Sequence, residues 1–408
     1  MSSITVAFDE RRGRGQAIPV PVEIFNEQLT RVAEEVIGPG RRKRIDVAEP
    51  GLYHVRAELP TGESVSTTVN VEGADSDALA MLTAGEGSPR GISAWAYTPP
   101  RSRRVEREVR GWSGDWMRRS SFAFPKWFGM RSGRVLGEAA EIFRIAPGDP
   151  HWELSPADVP LEWEASVRGD DPRRIGELRM NYVDEEAALC LRVELRSTGS
   201  APEGRCVMVP GSRGGRVLFF HDEGAGPGTV RTLVSGAAPE AEALMAYLEN
   251  GAIGAARRVG DAVVRQADES SRGRRTDPFG ACIAGYFLLR AGRLERQAWM
   301  KNLADWFPDI PDGAVIYAVS LLRDPDATGR RAHAARDYLL EAVRRGVPIY
   351  TVGLRLLFDS LQYLAREEDD REVASALARV RFIAAYTDWD AQTTTFSIPA
   401  LQEGGFRF

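Results

Sequence analysis

Cysteine, histidine and lysine are scarce in this chain. Its 408 residues include three cysteines (Cys190, Cys206, Cys282), four histidines and only Lys43, Lys126 and Lys301 as lysines. The cysteines show no CxxC or CxxxC spacing. Their odd number leaves at least one thiol unpaired within the chain, which fits a reducing cytoplasm better than a disulfide framework. No run of about 18 apolar residues occurs. The opening stretch, MSSITVAFDERRGRG, carries charges where a signal peptide needs an apolar segment, so neither export nor membrane spanning is expected. Arginine supplies nearly all the positive charge, a bias expected of a GC-rich bacterial coding sequence. The net charge of −5 excludes a protein-wide field for gathering nucleic acid or anionic membrane. Hydrophobic residues at 43% and charged residues at 27% are enough to bury a core, and the length predicts two to four domains.

From Ile4 to Val71 short segments with a period of two (ITVAF, AIPVPV, RIDV, LYHVRAEL, ESVSTTVNV) are separated by Gly and Pro signals and predict strands. Tyr53, Val55, Ala57 and Leu59 share one face, as do Val65, Thr67, Val69 and Val71, with a hairpin turn at Pro60-Thr61-Gly62. The stretch DVAEPGLYHVRAELPTGESVSTTVNV resembles the small β-sandwich modules of many bacterial multidomain proteins, which implies a fold and no chemistry. A Gly/Ser-rich passage follows, holding a predicted helical piece, SDALAML, and then the basic run Arg101–Arg104. Strand signals return between about 94 and 236, in eight short segments from VEREVRG and EIFRIA through TVRTLV, and predict a second β domain, a sandwich or partly closed barrel. After Pro239 eight segments place apolar residues at i, i+3, i+4 and i+7, which predicts helices joined by short connections. Asp277-Pro278 supplies an N-cap followed by a first-turn proline, and Gly292 and Gly346 stand where helices end.

The expected architecture is therefore multidomain β then α. Its parts are a β-sandwich-like domain (1–73), a linker (74–104), a second β-rich domain (105–236), an α-helical domain (237–390) and a C-terminal tail (391–408).

The helical part resembles a degenerate tetratricopeptide repeat. With Gly292 at the turn inside the repeat, Gly285 falls on the small residue of the first helix, Leu294 opens the second, Ala304 takes the late small position, and Pro308 and Pro311 bracket the end. Ala281, Gln297 and Lys301 depart from the pattern, where it has Trp, Ala and an aromatic. Leu321-Leu322-Arg323 lies 33 residues after Leu288-Leu289-Arg290. A plain helical bundle is the alternative. The resemblance implies stacked hairpins whose inner helices line a surface for a partner segment, with Tyr286, Arg290, Tyr317 and Arg323 as the candidate contacts.

The catalytic inventory is thin. His54 alternates out of a strand, His333 lies on an Arg/Ala helical face, and His151 precedes Trp152 in a loop. His221 leaves the apolar strand Val217–Phe220 and is followed by Asp222 and Glu223, the one constellation for metal binding or general-base chemistry. Adjacent strand residues point to opposite faces, and no HxH or HExxH companion exists. Cys190, Cys206 and Cys282 sit among apolar residues as core residues, and no GxSxG elbow is present. The glycines at 224–228 and 38–40 lead into strands, which a phosphate-binding loop does not do. No cofactor or metal is expected.

Six of nine tryptophans lie between 95 and 163. In GWSGDWMRRSSFAFPKWFGM, Trp112, Trp116 and Trp127 alternate with Arg118, Arg119 and Lys126, the composition of domain cores, of a protein hot spot or of a stacking platform for single-stranded nucleic acid. The expected function is a non-enzymatic adaptor or scaffold in a bacterial, cytoplasmic signalling or defence assembly, with a separately encoded protein as partner. A hydrolase using His221, Asp222 and Glu223, and a nucleic-acid-binding module using the Trp/Arg region, are the alternatives.

Overall fold

The computed structural model describes residues 2–8, 19–37, 42–60, 64–73, 76–83, 136–147, 152–156, 161–165, 174–180, 188–195, 203–211, 215–221, 230–235, 239–249, 251–272, 277–324, 329–367 and 370–398. Among the described residues, strands fill the N-terminal region and eight helices the C-terminal one, a β-then-α multidomain layout. The chain divides into two compact units, Met1–Arg104 with Ala238–Thr276, and Val105–Ala237 with Asp277–Phe408.

The first unit holds two sheets. Strands β1 (Ser2–Phe8), β4 (Lys43–Val47) and β7 (Asp77–Leu82) form one in the order β4-β1-β7. Strands β2 (Val20–Phe25), β3 (Arg31–Ile37), β5 (Gly51–Glu58) and β6 (Ser64–Val71) form the other in the order β3-β2-β5-β6. Tyr53, Val55 and Ala57 are buried on one face of β5 as the alternation requires, while His54 lies on the other. β7 corrects the helical reading of SDALAML. It pairs in parallel with β1, burying Ala80 and Leu82 while Leu79 and Met81 face outward. Good helix formers there are overridden by pairing with a buried strand, as tertiary context commonly does.

Two helices complete this unit, α1 (Pro239–Glu249) and α2 (Ile253–Arg272). α1 is buried from Ala241 to Leu248, and its Tyr247 Oη donates to the Glu58 carbonyl at 3.0 Å. Arg258 on α2 donates to Glu23 Oε1 at 2.9 Å and also pairs with Glu34, so it bridges β2 and β3. The reading from sequence grouped both helices with those that follow. Here their fixed partners are strands more than 180 residues earlier.

The second unit has a four-stranded sheet, β10 (Leu161–Ala165), β11 (Arg174–Met180), β14 (Gly215–His221) and β15 (Val230–Ser235) in that order. A five-stranded sheet runs β16-β13-β12-β8-β9, from β8 (Leu136–Pro147), β9 (Trp152–Pro156), β12 (Ala188–Leu195), β13 (Glu203–Pro210) and β16 (Thr395–Ile398). β16 comes from the segment expected as a tail, and its antiparallel pairing with β13 joins the end of the helical region to the sheet. Leu189–Leu191 and Cys206–Val209 are buried in succession, so both faces of the central strands are covered.

Six helices follow in this unit: α3 (Pro278–Arg290), α4 (Gln297–Trp306), α5 (Pro311–Leu322), α6 (Gly329–Arg345), α7 (Thr351–Glu367) and α8 (Arg371–Tyr386). Asp277 caps α3 by accepting from the Phe279 amide at 3.2 Å, and Gly292 follows that helix at φ +70°, as expected. Arg345 at the end of α6 donates to the carbonyls of Ala304 (2.7 Å) and Phe307 (3.3 Å), satisfying the C-terminal end of α4. α3 and α5 are buried almost all round and form the centre of the helical layer. They run side by side in the same direction, with Gly285 at the crossing, where an added Cβ would stand 2.9 Å from Ile316 Cδ1.

Candidate partner-binding site

Pro311 opens α5, so the next residue, Asp312, occupies the first turn, and α3 and the turn before α7 close over it. Its side chain is fully buried. Tyr286 Oη donates to Oδ1 at 2.6 Å, the Ile349 amide to Oδ2 at 2.8 Å and the Tyr350 amide to Oδ1 at 3.3 Å. One carboxylate thus ties three separate segments together. Burial pushes its pKa from the usual 3.8 up to about 6, against the pull of these donors. Burial likewise raises Tyr286, with Asp312 adding to it, and Tyr350 packs edge-on at 6.0 Å. Cys282 is held well above its ordinary thiol value by burial and by the charges of Asp312 and Asp277. A thiol so placed is a core group and a poor nucleophile.

The exposed ends of α3 and α5 carry arginines. Arg323 Nη1 donates to the Leu289 carbonyl at 2.9 Å, which places its guanidinium at the last turn of α3, the turn that Arg290 ends. Desolvation and the neighbouring Arg290 guanidinium hold Arg323 below the ordinary arginine range. On the flank of α5, Tyr317 is half-buried and meets Tyr338 of α6 edge to face at 4.7 Å. Tyr338 Oη donates to Asp305 Oδ1 at 2.7 Å, and Lys301 pairs with the same carboxylate.

Of the four helical residues picked from sequence, Arg290 and Arg323 come together at the surface and Tyr317 lies beside a second tyrosine. Tyr286 does not face outward: it is 2% exposed and engaged by Asp312. Sequence reasoning passed over Asp312, Tyr350, Tyr338 and Gly353. The only available signals were the Pro-Asp helix start and a glycine three residues into a helix.

Trp112, Trp116, Trp127, Asp222 and Glu223 lie outside the described residues. His221 ends β14 opposite Val230 of β15. Cys190 and Cys206 are fully buried on β12 and β13, and burial, then its contact with Cys206, raises the Cys190 thiol. Among the described residues no cluster of three or more His, Cys, Asp or Glu could hold a metal ion, and no helix is long and apolar enough to cross a membrane.

Residues 243–404 match the family model described as the Y4kD C-terminal domain. No curated protein and no solved structure matches the chain. The Y4kD-like stretch contains α3 to α8 and β16 entire, and with them Asp312, its donors and both surface arginines.

Proposed function

We propose that the protein is a non-enzymatic protein–protein interaction adaptor or scaffold of a bacterial cytoplasmic signalling or defence assembly. Its Y4kD-like helical part, taken as a degenerate tetratricopeptide-like array, holds a segment of a separately encoded partner. The observation that carries this reading is the Arg290–Arg323 pair. Two arginines stand at the exposed ends of parallel helices, and Arg323 is pinned to a backbone carbonyl, so its charge is presented with little conformational freedom left to lose on binding. Arginine and tyrosine are the residue types that most often dominate interface energetics, and Tyr317 and Tyr338 line the next helix pair. The buried Asp312 carboxylate below is taken up by the Tyr286 hydroxyl and the Ile349 and Tyr350 amides, as in a scaffold whose surface does the binding. The 33-residue spacing of the two Leu-Leu-Arg segments and the close α3–α5 crossing at Gly285 support the repeat-like reading.

The test uses the full chain with Arg290→Glu and Arg323→Gln. Glutamine can still donate to the Leu289 carbonyl, so the α3 end keeps its cap. Capture of the native partner from the source cells is expected to be lost while the melting temperature stays within a few degrees. A double variant that captures the same partner as the wild type would overturn this surface.

A further inference from the structure

Resting on the partner-binding reading of the Arg290–Arg323 surface, we infer that the segment held there is acidic and that one of its side-chain carboxylates sits between the two arginines. Both residues are exposed, at the ends of α3 and α5. A single cation is enough to complement the C-terminal end of α3, and Arg323 already donates to the Leu289 carbonyl there at 2.9 Å. Arg290, the residue after Leu289, adds a second positive charge that this helix end does not need. Among the described residues no carboxylate pairs with either arginine. The acidic residues that follow them in the chain are engaged elsewhere: Asp324 pairs with Arg331 of α6, and Glu295 with Arg293 at 3.3 Å.

Two like charges brought together without a counter-ion repel. Desolvation, and after it the Arg290 guanidinium, holds Arg323 below the ordinary arginine range, and an anion set between the two offsets both effects. Arg323 spends one N–H on the Leu289 carbonyl and keeps the rest of its planar fork. A carboxylate has two oxygens in one plane, so it can accept from that fork and still face the second guanidinium. The extent of the charge favours a protein segment over a nucleic acid. The chain carries a net charge of −5, and Asp324 directly follows Arg323, so a polyanion would gain at the pair and be repelled beyond it. One carboxylate meets the local surplus alone. The same charges select against a long acidic run, so the segment presents one or two acidic residues among neutral ones.

The test displays short random peptides to the immobilised full chain and reads the composition of the retained pool. An Asp or Glu at one fixed position is expected. A retained peptide should lose about tenfold or more in affinity when that residue becomes Asn or Gln, and by a similar factor against Arg290→Gln or Arg323→Gln. The melting temperatures of both variants should stay within a few degrees of the wild type, since both side chains are exposed. Arg290→Glu should turn the preference toward Lys or Arg. Inorganic phosphate should displace the peptide no better than sodium chloride of equal ionic strength. A pool that is empty or has no acidic position overturns the carboxylate clamp, as do acidic peptides indifferent to both arginine variants. Displacement specific to phosphate also overturns it and assigns the pair to a phosphorylated ligand. The clamp and the partner-binding reading fail separately. Peptides that need the arginines but carry no fixed acid remove only the clamp, while acidic peptides bound through a pair that capture of the native partner does not require remove only the adaptor role of this surface.

Discussion

Gly353→Ala is expected to destabilise the second unit by about 2–4 kcal/mol, although alanine is the better helix former by about 1 kcal/mol. The cause is space. A Cβ at this position would stand 2.2 Å from Tyr286 Oη, 2.9 Å from Asp312 Oδ1 and 3.1 Å from Pro348 Cβ. The tyrosine hydroxyl is the end of a side chain, yet it is not free to yield, since its ring is buried and it donates to Asp312. Moving it breaks that bond inside the core, where an unpaired polar group costs most. The decisive comparison is a double-mutant cycle with Tyr286→Phe, measured by urea unfolding. Removing the hydroxyl opens the room the methyl needs, so the double variant should lose clearly less than the sum of the two single changes. Strict additivity would show that the clash is relieved elsewhere.

How far the sequence reveals this core differs from element to element. Alternation exposed β5 and β6, because their outer faces are polar, and cap chemistry placed the start of α3 and the glycine beyond its end. β3 was missed. Its segment RVAEEVI carries adjacent glutamates that blur the period of two and become intelligible only with Arg258 of α2 pairing to Glu34. β7 was misread because Ala, Leu and Met favour helices and six residues are too few to separate the periods. Tyr286 was placed on a surface by its type, but the segment PFGACIAGYFLLR has no charged residue before Arg290. A helix apolar on every side belongs inside, and that signal was available. Asp312 was beyond reach from sequence, since its donors come from residues 26 to 38 positions away on either side. The arginine pair was accessible in part, because two like segments at a repeat spacing imply adjacency whatever the superstructure.

Asp312→Ala is expected to cost about 3–5 kcal/mol, because it leaves the Tyr286 hydroxyl and the Ile349 and Tyr350 amides without their acceptor in a dry interior. Asp312→Asn separates hydrogen bonding from charge. An amide can accept from Ile349 and donate to the tyrosine oxygen, forfeiting chiefly the longer bond from Tyr350, so at neutral pH it should lose about 1–2 kcal/mol. The two carboxyl states then give the pH dependence its sign. Burial raises the native pKa from 3.8 to about 6, so the folded chain takes up this proton at a higher pH than the unfolded one. The stability contributed is full below the unfolded value and is lost as pH rises through about 6. Other carboxylates oppose this trend: Asp370, accepting from Arg336 and from the amides it caps, is held below its usual value and favours folding at higher pH. The difference between wild type and Asp312→Asn cancels those groups. That difference should widen by about 1.4 kcal/mol, tenfold in the unfolding equilibrium, between pH 7 and pH 5. A gap that stays constant, or narrows as the pH falls, would mean that the donors outweigh burial and that Asp312 stays ionised throughout.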